Sequence, residues 1–348
     1  MFVPRSPGIE SALRALLGLY ALLDTLERTL PLETNFRPFS AFSILFAVLL
    51  GLGFLDRLAG LCLFLIWWLR PAPPDAWQLD AGISVLFLAA CCVPRTPFGS
   101  WSARGRLDPG EGWTLPGWIT NLRMGALFAA LPMIALPAVF PLDANRTWEV
   151  QSDVGRLWGV PVGLAELSLA CMLLPLCFTQ RALAWWWLLF LAGLLYTAGE
   201  PEKSGSIGTL AWLLVFTAPL ERVPELAPGT LDRVWYDGQC GLCHGAVRWL
   251  IAEDADGSRF RFAPLAEEAR SMRIECADGR WLEGSAAPLH CMRRLGGGWR
   301  LIGEILRWVP PPVRDGAYFL VARVRYAFFG RRQQSCPALA RHLQQRFR

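Results

Sequence analysis

The stretch Trp235-Tyr-Asp-Gly-Gln-Cys-Gly-Leu-Cys-His-Gly-Ala-Val-Arg-Trp-Leu250 decides the fold of the C-terminal part of the chain. Arg233 to Tyr236, rich in Val and aromatic residues, predicts a short strand. Asp237-Gly238 is a turn signal. From Cys243 onward Val247, Leu250 and Ile251 recur at three- and four-residue spacing, which predicts a helix. Cys240 and Cys243 therefore fall where a strand ends and a helix begins. Unsatisfied N–H groups and the positive end of the helix dipole favour a thiolate there. The thiolate is the attacking species in disulfide exchange. With two residues between them the cysteines can close a small disulfide ring, so one can resolve a mixed disulfide formed on the other. Cys240, one turn outside the helix start, is expected to be the more exposed and attacking thiol, and Cys243 the resolving one. Asp237 stands where it can act on their protonation, and a charged His244 would lower a thiol pKa.

The same residues admit other readings. Cys240-Gly-Leu-Cys243-His244 also spells the c-type haem attachment motif. A zinc site would need two more of Cys276, His290 and Cys291, because the chain has no second Cys-x-x-Cys. Two inert cysteines are the third reading. The strand–turn–helix context fits a dithiol best, and no metal is expected.

Residues 236–243, Tyr236-Asp-Gly-Gln-Cys-Gly-Leu-Cys243, resemble the signature of the DCC family of thiol-disulfide oxidoreductases. The Asp and two Cys of that family's name match Asp237, Cys240 and Cys243. The likeness continues through Phe262-Ala-Pro-Leu265, Leu295-Gly-Gly-Gly-Trp-Arg300 and Val313-Arg-Asp-Gly-Ala-Tyr318. It ends in Arg325-Tyr-Ala-Phe-Phe-Gly-Arg-Arg332, with Cys336 after it. It covers about residues 230–340 and implies a thioredoxin-like α/β fold with a redox-active dithiol. The substrate class does not carry over.

The rest of the chain reads differently. Of 348 residues 53% are hydrophobic, which points to a membrane protein. Apolar runs mark eight segments, at residues 9–30, 38–54, 56–70, 80–95, 117–140, 157–178, 181–198 and 205–220. Residues 221–348 hold 20 Arg against 14 acidic residues, whereas the first 220 are nearly neutral. The basic surplus comes with no nucleic-acid-binding motif. The run from Leu13 to Leu23 lacks a cleavage site and reads as a first membrane helix, not a signal peptide. Leu49 to Trp68 and Leu173 to Trp187 are similar in pattern, which suggests two four-helix repeats. Leu50 to Trp68 with Gln78-Leu-Asp-Ala81 resembles the HTTM domains, relatives of the vitamin K-dependent carboxylases, and the DoxX-like membrane proteins. Carboxylase activity is not implied, because residues 1–220 hold no His and a single Lys, Lys203.

The sequence thus predicts a multi-pass α-helical membrane bundle over residues 1–222 and a thioredoxin-like domain over 230–340. An even span count and the arginines at Arg5, Arg57, Arg95, Arg104, Arg106, Arg181 and Arg222 place both termini inside. That makes an integral protein of a bacterial-type inner membrane with a cytoplasmic C-terminal domain. Its partners would be the bilayer and a protein thiol or disulfide, or a small thiol, and not nucleic acid. Exchange itself requires no cofactor. Glu166 and Asp24, ionisable residues in apolar segments, are candidates for binding a quinone or lipid. Cys91, Cys92 and Cys177 are candidates for a redox relay, and Cys276, Cys291 and Cys336 are read as structural. The leading function is an enzyme, a membrane-tethered thiol-disulfide oxidoreductase, for which a membrane quinone or lipid is a candidate coupling partner. The alternative is a non-catalytic membrane protein, a lipid- or quinone-binding module or a scaffold, with a redox-sensing cytoplasmic domain.

Overall fold

The computed structural model describes residues 6–29, 37–69, 77–93, 97–120, 122–123, 226–265 and 271–347. They fall into two compact units. One contains the described parts of Met1–Leu13, Arg95–Thr114 and Leu220–Arg348, and the other those of Arg14–Pro94 and Leu115–Pro219.

The first unit is built on a four-stranded mixed sheet. Strand β1 (Asp232–Asp237) pairs in parallel with β2 (Phe260–Leu265) and antiparallel with β3 (Arg273–Glu275), which pairs antiparallel with β4 (Trp281–Glu283). The order across the sheet is β2-β1-β3-β4. The parallel pair requires a crossover, which the helix over Gly241–Glu253 supplies. Alternation along β1 buries Val234 and Tyr236 with Phe260 and Phe262 of β2 and Ile274 of β3. The crossover helix lays Val247, Leu250 and Ile251 on that face at helical spacing. The β3–β4 hairpin turns at Asp278-Gly279, where Gly279 takes φ +82°. Helices over Ala286–Leu295, Gly297–Arg307 and Pro311–Phe329 follow, and the chain closes with a 3-10 helix over Arg341–Phe347. Leu339 and Leu343 join the same core. So do contacts from earlier in the chain: Gly8 N–H donates to Glu253 Oε1 at 2.7 Å, and Ala340 N–H to the Leu107 carbonyl at 3.0 Å.

In chain order the helices are α1 (Pro7–Thr29), α2 (Arg37–Leu52), α3 (Asp56–Leu69), α4 (Trp77–Cys91), α5 (Gly241–Glu253), α6 (Ala286–Leu295), α7 (Gly297–Arg307) and α8 (Pro311–Phe329). In the second unit α3 packs closely on α4 at Gly60, where an added Cβ would lie 3.0 Å from the Phe87 carbonyl oxygen.

The expectation of a multi-pass membrane bundle, of integral membrane placement and of a C-terminal domain on its cytoplasmic face is corrected here. Among the described residues no helix is long and apolar enough to cross a membrane. The 16, 14 and 15 residues of α2, α3 and α4 reach at most about 24 Å, short of a hydrocarbon core of about 30 Å. Helix α1 has the length, at 23 residues, but carries Glu10, Arg14, Asp24, Glu27 and Arg28. The coupling to a membrane quinone rested on such spans and loses its basis with them. Asp24 is half-buried in α1. Glu166, Cys177, the second half of the proposed repeat and the segments at 157–178, 181–198 and 205–220 lie outside the described residues.

Candidate active site

Strand β1 delivers Asp237 to its C-terminal end, and the chain turns there into α5. Cys240 is the N-cap of α5, with φ −94° and ψ 122°. Cys243 follows in the first turn of the helix. Both are thiols, and they lie within hydrogen-bond reach of each other. The strand runs one residue past its expected end, through Asp237, and the helix starts at Gly241 and not Cys243, so Cys240 caps it instead of standing one turn outside.

The exposure of the two sulfurs is the reverse of the expectation. Cys240 is 0% exposed, whereas Cys243 is half-buried and borders a cleft. The cause lies about ninety residues downstream. After α8 the chain crosses the dithiol turn as a strap over residues 330–335. Gly241 N–H donates to the Gly330 carbonyl at 3.2 Å, and Arg332 N–H to the Gln239 carbonyl at 2.8 Å. Cys240 and Arg331 form an antiparallel bridge, and Tyr236 OH donates to the Ser335 carbonyl at 2.9 Å. The approach needs glycine: a Cβ on Gly241 would lie 2.2 Å from the Phe329 carbonyl oxygen, and Gly330 takes φ +70° to leave α8. Cys336, just beyond the strap, is exposed.

Asp237 is buried and fully engaged. Its Oδ1 accepts from Gln239 N–H at 2.9 Å, which shapes the turn, and its Oδ2 accepts from Arg325 Nη2 at 2.9 Å and from the Tyr326 hydroxyl. Arg325 is the one buried residue of α8, and the charge of its guanidinium acts on the Cys243 thiol. Burial pushes the Cys243 thiol up to about 12, the charge and hydrogen bond of Cys240 add to that, and Arg325 acts against it. Two sulfurs this close do not both carry charge, so when the pair loses one proton the remaining one is shared between them.

His244 is also buried. Its Nε2 donates to the Gly238 carbonyl at 2.8 Å, and burial holds its pKa below the ordinary histidine value despite that bond. The ring is therefore neutral at pH 7 and braces the turn. The positive charge beside the sulfurs comes from Arg325, not from His244. With Nε2 committed to the Gly238 carbonyl, the ring is not offered outward as a haem ligand.

The zinc reading that joined the dithiol to Cys276 and His290 also fails on geometry. Those residues gather at the start of β1, around Asp232, and Asp232 and Asp237 are the two ends of a six-residue strand, about 17 Å apart. Asp232, Cys276 and His290 do bring donor atoms within 4.8 Å of one another. There the Arg294 guanidinium, 2.8 Å from Asp232 Oδ2, already supplies the counter-charge.

The cleft beside Cys243 has a volume of about 60 Å³. Leu242 and Cys243 of α5, Met272 ahead of β3, and Tyr318, Val321, Ala322 and Arg325 of α8 line it. The sequence reading assigned no role to Arg325, Tyr326 or Tyr318. Their only signal there was membership of the stretches Val313–Tyr318 and Arg325–Arg332.

Comparison with known proteins bears on this site. The sequence profile of the DCC1-like thiol-disulfide oxidoreductases matches residues 234–331. An uncharacterized protein of Bacillus subtilis, YuxK, is 31% identical over 125 residues, covering 32% of this chain and 90% of that protein. No solved structure matches. The family match lies wholly in the C-terminal part and does not extend to the HTTM- and DoxX-like reading of residues 1–222. The dithiol that caps a helix at the end of a central strand lies inside the matched region, and by that match and this relative the chain belongs to the DCC1-like thiol-disulfide oxidoreductases.

Proposed function

We propose that exchange proceeds through the Cys243 sulfur, with Cys240 as the inner partner. The observation that carries this is the contrast in access: Cys243 borders a cleft, while Cys240 is sealed beneath the strap. In the oxidised protein, a substrate thiolate attacks Cys243 Sγ and the Cys240–Cys243 bond breaks. The electron pair leaves on Cys240 Sγ, at the helix N-terminus. A substrate–Cys243 mixed disulfide forms. A second substrate thiolate attacks the substrate sulfur of that bond, giving a substrate disulfide and leaving both protein cysteines reduced. Run backward, the same steps reduce a substrate disulfide and oxidise the pair. No bound cofactor takes part in either direction. Asp237, held by Arg325 and Tyr326, fixes the turn, and neutral His244 braces it.

Trapping tests the assignment. The Cys240→Ser protein is expected to accumulate a mixed disulfide at Cys243 with an added substrate disulfide, because nothing resolves it. The Cys243→Ser protein should accumulate at least about tenfold less, the strap having to open first. Accumulation in Cys243→Ser but not in Cys240→Ser would return the outer role to Cys240. A partner that is a protein thiol or disulfide, or a small thiol, suits this chemistry, and the cleft discriminates between them.

A further inference from the structure

We infer that the cleft beside Cys243 seats a polypeptide cysteine flanked by apolar, uncharged residues, so that the partner is a protein or peptide disulfide and not a small anionic thiol. This rests on the exchange reading above. Three features of the cleft select the occupant.

The first is its walls. Leu242, Met272, Val321 and Ala322 present carbon to the space in front of the Cys243 sulfur, so a neighbour of the substrate cysteine gains by burying apolar surface there. The second is its charge. Among the described residues Asp237 and Arg325 are the ionised ones that line it, and they meet each other at 2.9 Å. A thiol that carries carboxylates would bring charge into a site whose own charges are already mutually compensated. The third is its extent. A volume of about 60 Å³ is well below that of ligand pockets, roughly 300–1,000 Å³, and takes no more than the end of one side chain. The apolar surface nonetheless runs on past the mouth along α8, where Leu320 is 64% and Val321 48% exposed. A continuing chain covers that surface and a small thiol leaves it bare. The walls are pre-set, since Met272 N–H donates to the Tyr318 hydroxyl at 3.0 Å and ties α8 to the lead into β3.

The step balances without another reagent. The dithiol first loses one proton to solvent, and Cys243 attacks the peptide disulfide as the thiolate while Cys240 holds the remaining proton. One peptide thiolate leaves, and Cys240, giving up that proton, displaces the second peptide thiolate as the Cys240–Cys243 disulfide forms. The peptide disulfide gains two electrons and the protein dithiol loses two.

The test uses the reduced full chain in single turnover, following formation of the Cys240–Cys243 disulfide by mass spectrometry after acid quench. The oxidants are a symmetric octapeptide disulfide with Leu and Val flanking its cysteine, the same peptide with Ser and Gly there, and oxidised glutathione. The apolar peptide should react at least about tenfold faster than the Ser/Gly peptide, the return on burying a few methylenes, and faster than glutathione. Val321→Ser should narrow the ratio between the two peptides, whereas Ile305→Ser, on α7 outside the cleft, should keep it. Equal rates for the two peptides, or glutathione as the fastest oxidant, overturn the cleft assignment and leave exchange standing. If none of the three oxidises the pair, the exchange reading falls and the cleft assignment falls with it.

Discussion

Strand β1 carries an aspartate at each end, and both ends collect the same kinds of residue. Around Asp237 stand Arg325, His244, Cys240 and Cys243; around Asp232 stand Arg294, His290, Cys276 and Cys291. We read one set as the redox site and the other as a brace. At the Asp237 end the cysteines flank a helix start, and one of them borders a cleft. At the Asp232 end Cys276 follows β3 and Cys291 sits inside α6, both buried, and burial raises both thiols. Arg294 there is spent on structure. It holds Asp232 and donates to the carbonyls of Leu226, Ala227 and Thr230, fixing the chain that leads into the strand. Burial pushes the Asp232 carboxyl up, but bonds from His290 and Ala277 N–H and the charge of Arg294 outweigh it and hold it below the usual range. A shared residue list makes a site only where backbone position gives a sulfur a dipole and a way out.

Cysteine replacement is the severest way to break this comparison. Cys240→Ser and Cys243→Ser should each lower two-electron exchange at least about a hundredfold, because neither thiol alone can close the disulfide. Cys276→Ser should stay within about threefold of the parent rate per folded molecule. A loss from Cys276→Ser equal to that from Cys243→Ser would erase the distinction between the ends.

The two arginines sharpen it. Arg294→Met leaves Asp232 buried without its cation and should cost about 3–5 kcal/mol in urea unfolding, with exchange by the remaining folded protein little changed. Arg325→Met should also slow exchange, about tenfold, since its guanidinium opposes the upward shift of the Cys243 thiol. Exchange slowed more by Arg294→Met than by Arg325→Met would contradict this division.

A third measurement concerns pH. Glu253, at the C-terminal end of α5, is pushed by burial up to about 7, even though Ser6, Trp299 and Gly8 donate to it. The fold favours its protonated form. The stability it contributes is therefore fully present below the ordinary carboxylate pKa and is lost as pH rises through about 7. Allowing for its partial exposure, that loss is on the order of 2 kcal/mol. Urea midpoints from pH 4 to 8 should show the decline, and Glu253→Gln should flatten it; an equal slope in both proteins removes Glu253 as the cause. The smallest effect belongs to Cys336, which is exposed: Cys336→Ser should shift stability by no more than about 0.5 kcal/mol, as thermal unfolding would show.

The strand, the turn, the helix start and the dithiol were legible because each depends on neighbours within a few residues. What covers Cys240 was not legible, since Gly330 and Ser335 lie about ninety residues from it and no local signal says which sulfur they will seal. Asp237 was chosen for its place in the motif, but its partners Arg325 and Tyr326 are brought to it only by the packing of α8. The membrane reading misled because apolar runs of 14 to 16 residues raise hydropathy as full spans do, while their length falls short of a bilayer.

The strap gives Cys240 a chemistry governed by local opening. A reagent meets its sulfur only in molecules where residues 330–335 have lifted, so the observed modification rate is the intrinsic rate multiplied by an opening equilibrium constant. Lifting the strap breaks a handful of hydrogen bonds and bares little apolar surface. The rate should therefore climb only gently with urea, well below the transition at which the whole unit unfolds, and Tyr236→Phe, which deletes the bond to Ser335, should raise it at zero denaturant.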